Sequence, residues 1–186
     1  VCGGENFPGE LLQRLRSLTS ANIYNQYGPS ETTVAVSWQL LNDAKEITIG
    51  RPMSNCRFYV LDSRRNPLPV GVWGDLYIGG ICVGRGYRND PDKTEECFLH
   101  SPFEDGERIY KTGDIACWTA SGEIMLAGRG DSQIKLRGIR IEPQEIASRI
   151  AAHPDVNEAA VKVWESDGVK SHIIAYYVSA KPVPET

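Results

Sequence analysis

Residues 24–33, Tyr24-Asn25-Gln26-Tyr27-Gly28-Pro29-Ser30-Glu31-Thr32-Thr33, put an aromatic ring, a chain turn, hydroxyls and a carboxylate side by side. Gly-Pro breaks regular structure, because proline lacks an N–H and glycine admits backbone angles that other residues avoid. A turn built this way presents its flanking side chains to a cleft. The combination suits a nucleotide: a ring to stack on, hydroxyls for phosphate and an acid for a metal ion. A polar loop between two elements is the competing reading of these ten residues.

Upstream, residues 1–5 read as the end of a buried strand running into Gly3-Gly4. Residues 8–18 read as a helix, with Pro8 at its first turn and Leu11, Leu12, Leu15 and Leu18 on one face. Ile23 and Tyr24 resume extended structure. Strand–helix–strand points to a parallel α/β sheet, where ligands sit beyond the carboxyl ends of strands. Both Gly3-Gly4-Glu5 and the 25–31 loop would lie there.

Downstream the pattern becomes β-rich. Strands are expected at 34–38, 57–62, 74–79, 108–114, 116–118 and 124–126, with turns at Gly, Pro and Asn and one amphipathic helix over 91–98. This spacing predicts a small barrel or sandwich. After Gly128-Arg129-Gly130-Asp131, an alternating hairpin (133–141), a helix (143–152) and strands at 156–164 and 171–178 predict an α+β unit. The fold class is therefore α/β plus β in three parts. Residues 1–48 close a parallel α/β subdomain, 49–130 form a β-barrel-like subdomain, and 131–186 begin a small C-terminal α+β subdomain.

The chain has 186 residues, 41% hydrophobic and 24% charged, with a net charge of −4. These values fit a globular protein and argue against nucleic acid as the main partner. No run of about 18 apolar residues suggests a membrane helix. Cys2, Cys56, Cys82, Cys97 and Cys117 are scattered and odd in number, so a zinc site or disulfide framework is not expected and a reducing cytoplasm is. The opening Val1-Cys2-Gly3-Gly4-Glu5 begins in mid-pattern without Met, which suggests part of something longer.

Four motifs in sequence carry a resemblance: Y-N-Q-Y-G-P-S-E (24–31), G-D-L-Y-I-G-G-I-C-V-G-R-G-Y (74–87), Y-K-T-G-D (110–114) and G-R-G-D-S-Q-I-K-L-R-G-I-R-I-E-P-Q-E-I (128–146). Together they resemble the adenylate-forming enzymes, and within them the amino-acid-activating adenylation domains of nonribosomal peptide synthetases. That family joins ATP and a carboxylic acid into an acyl-adenylate, then passes the acyl group to the phosphopantetheine thiol of a carrier domain.

The resemblance implies roles residue by residue. Tyr27 would stack on adenine, with Asn25 meeting the exocyclic amine and Gly3, Gly4 and Glu5 forming the opposite wall beside Gly28. Ser30 replaces the usual Thr at the α-phosphate and keeps its hydroxyl. Glu31 matches the Mg²⁺ ligand. Asp114 matches the acceptor of the ribose hydroxyls, against a plain turn-capping role, and Arg129 the arginine near ribose and phosphate. Asp131 falls at the hinge of the mobile C-terminal subdomain. Lys135, Arg137, Gly138 and Arg140 would line the pantetheine path, where composition alone reads a solvated basic face. Cys2, Gln26, Val34 and Ala35 would line the amino acid pocket; core packing is the plain alternative for Val34 and Ala35.

The glycine cluster at 79–86 lacks a G-K-[ST] ending and is not a phosphate loop. Two lysine-bearing loops of the family have no match here, so these residues alone are expected not to catalyse adenylation. An acyl-CoA ligase and a non-catalytic excised module remain the alternative readings.

Overall fold

The computed structural model describes residues 1–5, 7–136, 139–166 and 169–180. Two compact units divide the chain, Val1–Gly130 and Asp131–Thr186.

The first unit opens with β1 (Cys2–Gly3), α1 (Gly9–Leu18) and β2 (Tyr24–Tyr27). β1 and β2 run parallel, with Cys2 opposite Asn25 and Gly3 opposite Gln26. The strand–helix–strand reading therefore holds. The helix buries less than its leucines suggested. Leu12 packs with Phe7, Ile23 and Leu41, and Leu15 is half-buried, but Leu11 and Leu18 stay exposed. Arg16 closes the contact by donating to the Leu41 and Ala44 carbonyls.

After β2 a single 3₁₀ turn covers Ser30–Thr32, and β3 is Ser37–Leu40 rather than 34–38. The cause is local. Thr33 (φ 65°) and Val34 (φ 69°) are left-handed, a conformation no regular strand contains. Extended structure resumes only once the Val36 N–H has bonded the Tyr27 carbonyl, 2.9 Å. β3 pairs antiparallel with β2 and with β4 (Arg51–Pro52), which completes a four-stranded sheet.

The β-rich segment comprises β5 (Cys56–Leu61), β6 (Gly74–Gly80), α2 (Pro91–Cys97), β7 (Phe98–His100), β8 (Arg108–Trp118) and β9 (Ile124–Arg129). Asp90 caps α2 by accepting from the Lys93 N–H, 3.0 Å. The strand order is β5-β6-β8-β7, with β9 also on β8. Where a small barrel or sandwich was expected, the pairings among the described residues do not close into a barrel. The long β8 explains this, because its start pairs with β7 and its end with β9. Val36, Ile49, Phe58, Val60, Leu76, Ile78 and Ile124 are buried in one cluster that fuses the two sheets.

The second unit holds β10 (Ile134–Leu136), β11 (Ile139–Ile141), α3 (Pro143–Ala151), β12 (Val156–Ser166) and β13 (Val169–Ser179). β10–β11 and β12–β13 are antiparallel hairpins. Pro143 starts α3, where its missing N–H costs nothing. Pro143 and Ala147 are buried, Ile146 and Ile150 half-buried, and α3 packs on β12.

Candidate functional site

Thr112-Gly113-Asp114 lies where β8 slips out of register. Asp75 on β6 faces Ile115 and Tyr77 faces Lys111, so β8 carries extra residues between them. Gly113 sits at φ 79°. A bulge of this kind re-aims a side chain, and here it turns the Asp114 carboxylate inward. Asp114 is 8% exposed. Its Oδ1 lies 3.1 Å from Arg129 Nη1, and its Oδ2 accepts from the Tyr27 hydroxyl. Arg129 Nη2 also donates to the Thr112 carbonyl, 3.1 Å, while Thr112 Oγ1 accepts from the Asp114 N–H, 3.0 Å. Two motifs 87 residues apart in sequence thus meet at one carboxylate.

Tyr27 is itself buried, its ring edge-on to Phe58 at 6.4 Å. Burial, then the Asp114 charge and the bond to it, hold its phenol well above the usual range. It remains a donor at every physiological pH. One strand position earlier on the other face, Gln26 is half-buried beside Gly3. A Cβ on Gly3 would stand 2.6 Å from the Gln26 carbonyl, so only glycine allows this approach. Asn25 is buried and donates its amide to the Thr48 carbonyl, 2.6 Å. Cys2 is half-buried, and Gly4 and Glu5 are exposed at the end of β1.

Beyond Tyr27, Gly28 packs so tightly that a Cβ would meet the Val34 carbonyl at 2.5 Å. The turn then leaves Ser30 exposed at its head and Glu31 half-buried. Tyr87 Oη donates to Glu31 Oε1, 2.6 Å, and the Gly84 N–H to the Glu31 carbonyl, 2.7 Å. Val34 is 69% exposed and Ala35 half-buried.

Asp131 and the basic hairpin belong to the second unit. Asp131 is exposed and accepts from the Gln133 N–H, 3.1 Å. Lys135 pairs in backbone register with Arg140, and Arg140 lies 3.9 Å from Glu142. Arg137 and Gly138 lie outside the described residues. The sequence reading gave no role to Tyr87 or Thr112. Tyr87 and Gly84 stand inside a quoted motif, but nothing local shows a hydroxyl reaching back 56 positions.

Residues 1–88 match the family model described as AMP-binding enzyme. Tyrocidine synthase 3 of Brevibacillus parabrevis is 41% identical over 184 residues, covering 97% of this chain and 3% of that protein. The PKS-NRPS hybrid synthetase ATPKS of Aspergillus niger is 44% identical over 161 residues, covering 87% of this chain and 9% of that protein. The chain belongs to the AMP-binding enzyme family. It corresponds to a stretch of a nonribosomal peptide synthetase adenylation domain and spans under a tenth of the length of these two relatives. An artificially fused adenylation–PCP di-domain from Klebsiella oxytoca superposes with a TM-score of 0.81 at 27% identity, covering 96% of this chain and 34% of that one.

Tyr27 at the end of β2 and Arg129 at the end of β9 meet Asp114 at the bulge within β8. Glu31 fits a divalent cation by donor chemistry: Mg²⁺ takes one or two protein carboxylates together with phosphate oxygens. Glu31 carries one carboxylate of this kind, and its Oε1 accepts from the Tyr87 hydroxyl, 2.6 Å.

Proposed function

We propose that this chain supplies one wall of the nucleotide site of an amino-acid-activating adenylation domain. The junction of Tyr27, Asp114 and Arg129 carries the proposal. A buried carboxylate already held by two donors is fixed in place to accept the two ribose hydroxyls. Arg129 offsets its charge and adds a cation near the phosphate. The Asn25 amide, tied down at the Thr48 carbonyl, turns its oxygen to accept from the exocyclic amine of adenine. The Tyr27 phenol backs this wall from the core by donating to Asp114, its ring packed away from an open stacking face, and Gly28 lets the backbone come close, with Gly3, Gly4 and Glu5 as the facing wall.

In the reaction, a carboxylate oxygen of the amino acid attacks the α-phosphorus of ATP. The bond to the bridging oxygen breaks and pyrophosphate leaves with that electron pair. The exposed Ser30 hydroxyl donates to an α-phosphate oxygen. Glu31 holds Mg²⁺, which when bound neutralises phosphate charge as it builds. Preorganised groups of this type act without reorganising at the moment of reaction. Cys2, Gln26, Val34 and Ala35 line the pocket for the amino acid side chain. A carrier-borne phosphopantetheine thiol then attacks the acyl carbon and AMP departs.

For that second step the subdomains are residues 1–48, 49–130 and 131–186. Asp131 is the first residue of the second compact unit, in keeping with a hinge role. Lys135, Arg137, Gly138 and Arg140 line the pantetheine path. Adjacent synthetase domains are the partners, and five free cysteines suit a cytoplasmic setting.

The test is acceptor choice by the full-length protein. Amino-acid-dependent ATP–pyrophosphate exchange followed by aminoacylation of a holo-carrier domain supports the proposal. Exchange only with non-amino carboxylic acids, and transfer to free coenzyme A, would make it an acyl-CoA ligase instead.

A further inference from the structure

Glu31 is clasped twice by the segment 82–87, and a third bond joins the same two stretches. The Gly84 N–H donates to the Glu31 carbonyl, 2.7 Å, and Tyr87 Oη to Oε1 of the same residue, 2.6 Å. Thr33 Oγ1 donates to the Cys82 carbonyl, 2.9 Å. The segment is itself anchored on the side away from Glu31. Arg108 donates to the Gly84 carbonyl at 2.6 Å and the Arg85 carbonyl at 3.0 Å, with its guanidinium 5.6 Å from the Phe98 ring centre. The Tyr87 ring meets Phe98 edge-on at 5.5 Å, and the Tyr87 N–H donates to Thr94 Oγ1, 2.8 Å. Gly86 makes this possible. Its φ is 132°, and a Cβ there would stand 2.4 Å from a Thr94 methyl.

A glutamate side chain left to itself samples several rotamers, and its terminal torsion is broad. A metal ion shared with phosphates needs its carboxylate in one orientation. A neutral phenol that donates to one oxygen removes that freedom, and outer partners of this type set metal affinity by about 10–100-fold.

We infer that Tyr87 is a positioning residue that orients the Glu31 carboxylate for the divalent cation, with the 82–87 segment as its mount. The inference rests on Glu31 being the metal ligand. Tyr87 touches neither substrate nor metal in this role. Phe98, Thr94 and Arg108 fix Tyr87, and Tyr87 fixes Glu31.

The test uses the full-length protein, with Mn²⁺ as the probe, bound in the presence of ATP and read by electron paramagnetic resonance. Tyr87→Phe keeps the ring on Phe98 and deletes one oxygen. It should weaken Mn²⁺ binding by about tenfold or more. The Mg²⁺ concentration for half-maximal pyrophosphate exchange should rise by the same factor, and excess Mg²⁺ should restore exchange. In a Glu31→Ala background Tyr87→Phe should have no further effect. Gly84→Ala reaches the same group by another route, since its methyl would lie 2.9 Å from the Glu31 carbonyl, and should weaken Mn²⁺ binding too. Unchanged Mn²⁺ affinity in both variants, while Glu31→Ala loses it, overturns the inference and leaves the Glu31 assignment standing. Unchanged affinity in Glu31→Ala as well overturns both.

Discussion

Replacing Arg129 by Met should cost far more than a surface charge does. The Arg129 and Asp114 side chains are 17% and 12% exposed, and their atoms lie 3.1 Å apart. At an effective dielectric near 20 that separation is worth roughly 5 kcal/mol of attraction. Desolvation of both groups takes back much of it in the intact protein. Deleting one partner gives no such refund, because the remaining carboxylate is left buried; losses of about 3–5 kcal/mol are usual. The Tyr27 hydroxyl still donates to Asp114 in the variant, so the lower end, about 3 kcal/mol, is expected. The bond from Arg129 to the Thr112 carbonyl disappears as well. For a domain of this size the melting temperature should fall by roughly 10 °C. The assay is thermal unfolding of the adenylation domain by circular dichroism, alongside Asp114→Asn and the double variant. Removing both charges should cost clearly less than the sum of the single losses, by at least about 1 kcal/mol. A melting temperature within experimental error of wild type, or strictly additive losses, would refute the claim that the two groups form one buried unit.

Other perturbations reach different parts of the same surface. Gly28→Ala places a methyl 2.5 Å from the Val34 carbonyl, and should destabilise by about 1–3 kcal/mol and weaken nucleotide binding, measured by calorimetry. The Cys82 thiol is pushed up to about 12, by burial first and by Cys56 second. It should resist a thiolate-selective reagent at pH 8 in the folded protein and react once urea unfolds it; rapid labelling of the native state would contradict the packing. Tyr59 is raised to about 12 by burial and then Glu107. The folded protein then keeps a proton that the unfolded chain releases near pH 10. Its contribution to stability is complete below pH 10 and is lost as pH climbs from 10 to 12. Tyr59→Phe should flatten that part of the stability profile.

Periodic segments were legible in the sequence and irregular ones were not. The helix over 8–18 and the parallel pairing of β1 with β2 follow from leucine spacing and proline position. Which leucines are buried does not, because Phe7, Ile23 and Leu41 come from outside the helix and favour Leu12. The strand expected at 34–38 starts three residues late, since β-branched Thr33 and Val34 take positive φ values that propensity argues against. Such strain persists where surrounding structure over-determines it, often near a binding site. Among the site residues, motif spacing marked Tyr27, Asp114 and Arg129 individually. Their mutual bonds depend on a bulge in β8 that no local pattern announces. Tyr87 stayed silent for the same reason: its role is a contact made across 56 residues.

The most direct measurement of the central claim is amino-acid-dependent ATP–pyrophosphate exchange by the full-length protein carrying Glu31→Ala or Asp114→Ala. Removing one preorganised group from a phosphate-handling site lowers turnover by about 10²–10³. A loss on that scale is predicted for each variant, with folding checked by melting. Wild-type exchange in both would contradict the assignment of residues 24–33 and Asp114 to the nucleotide.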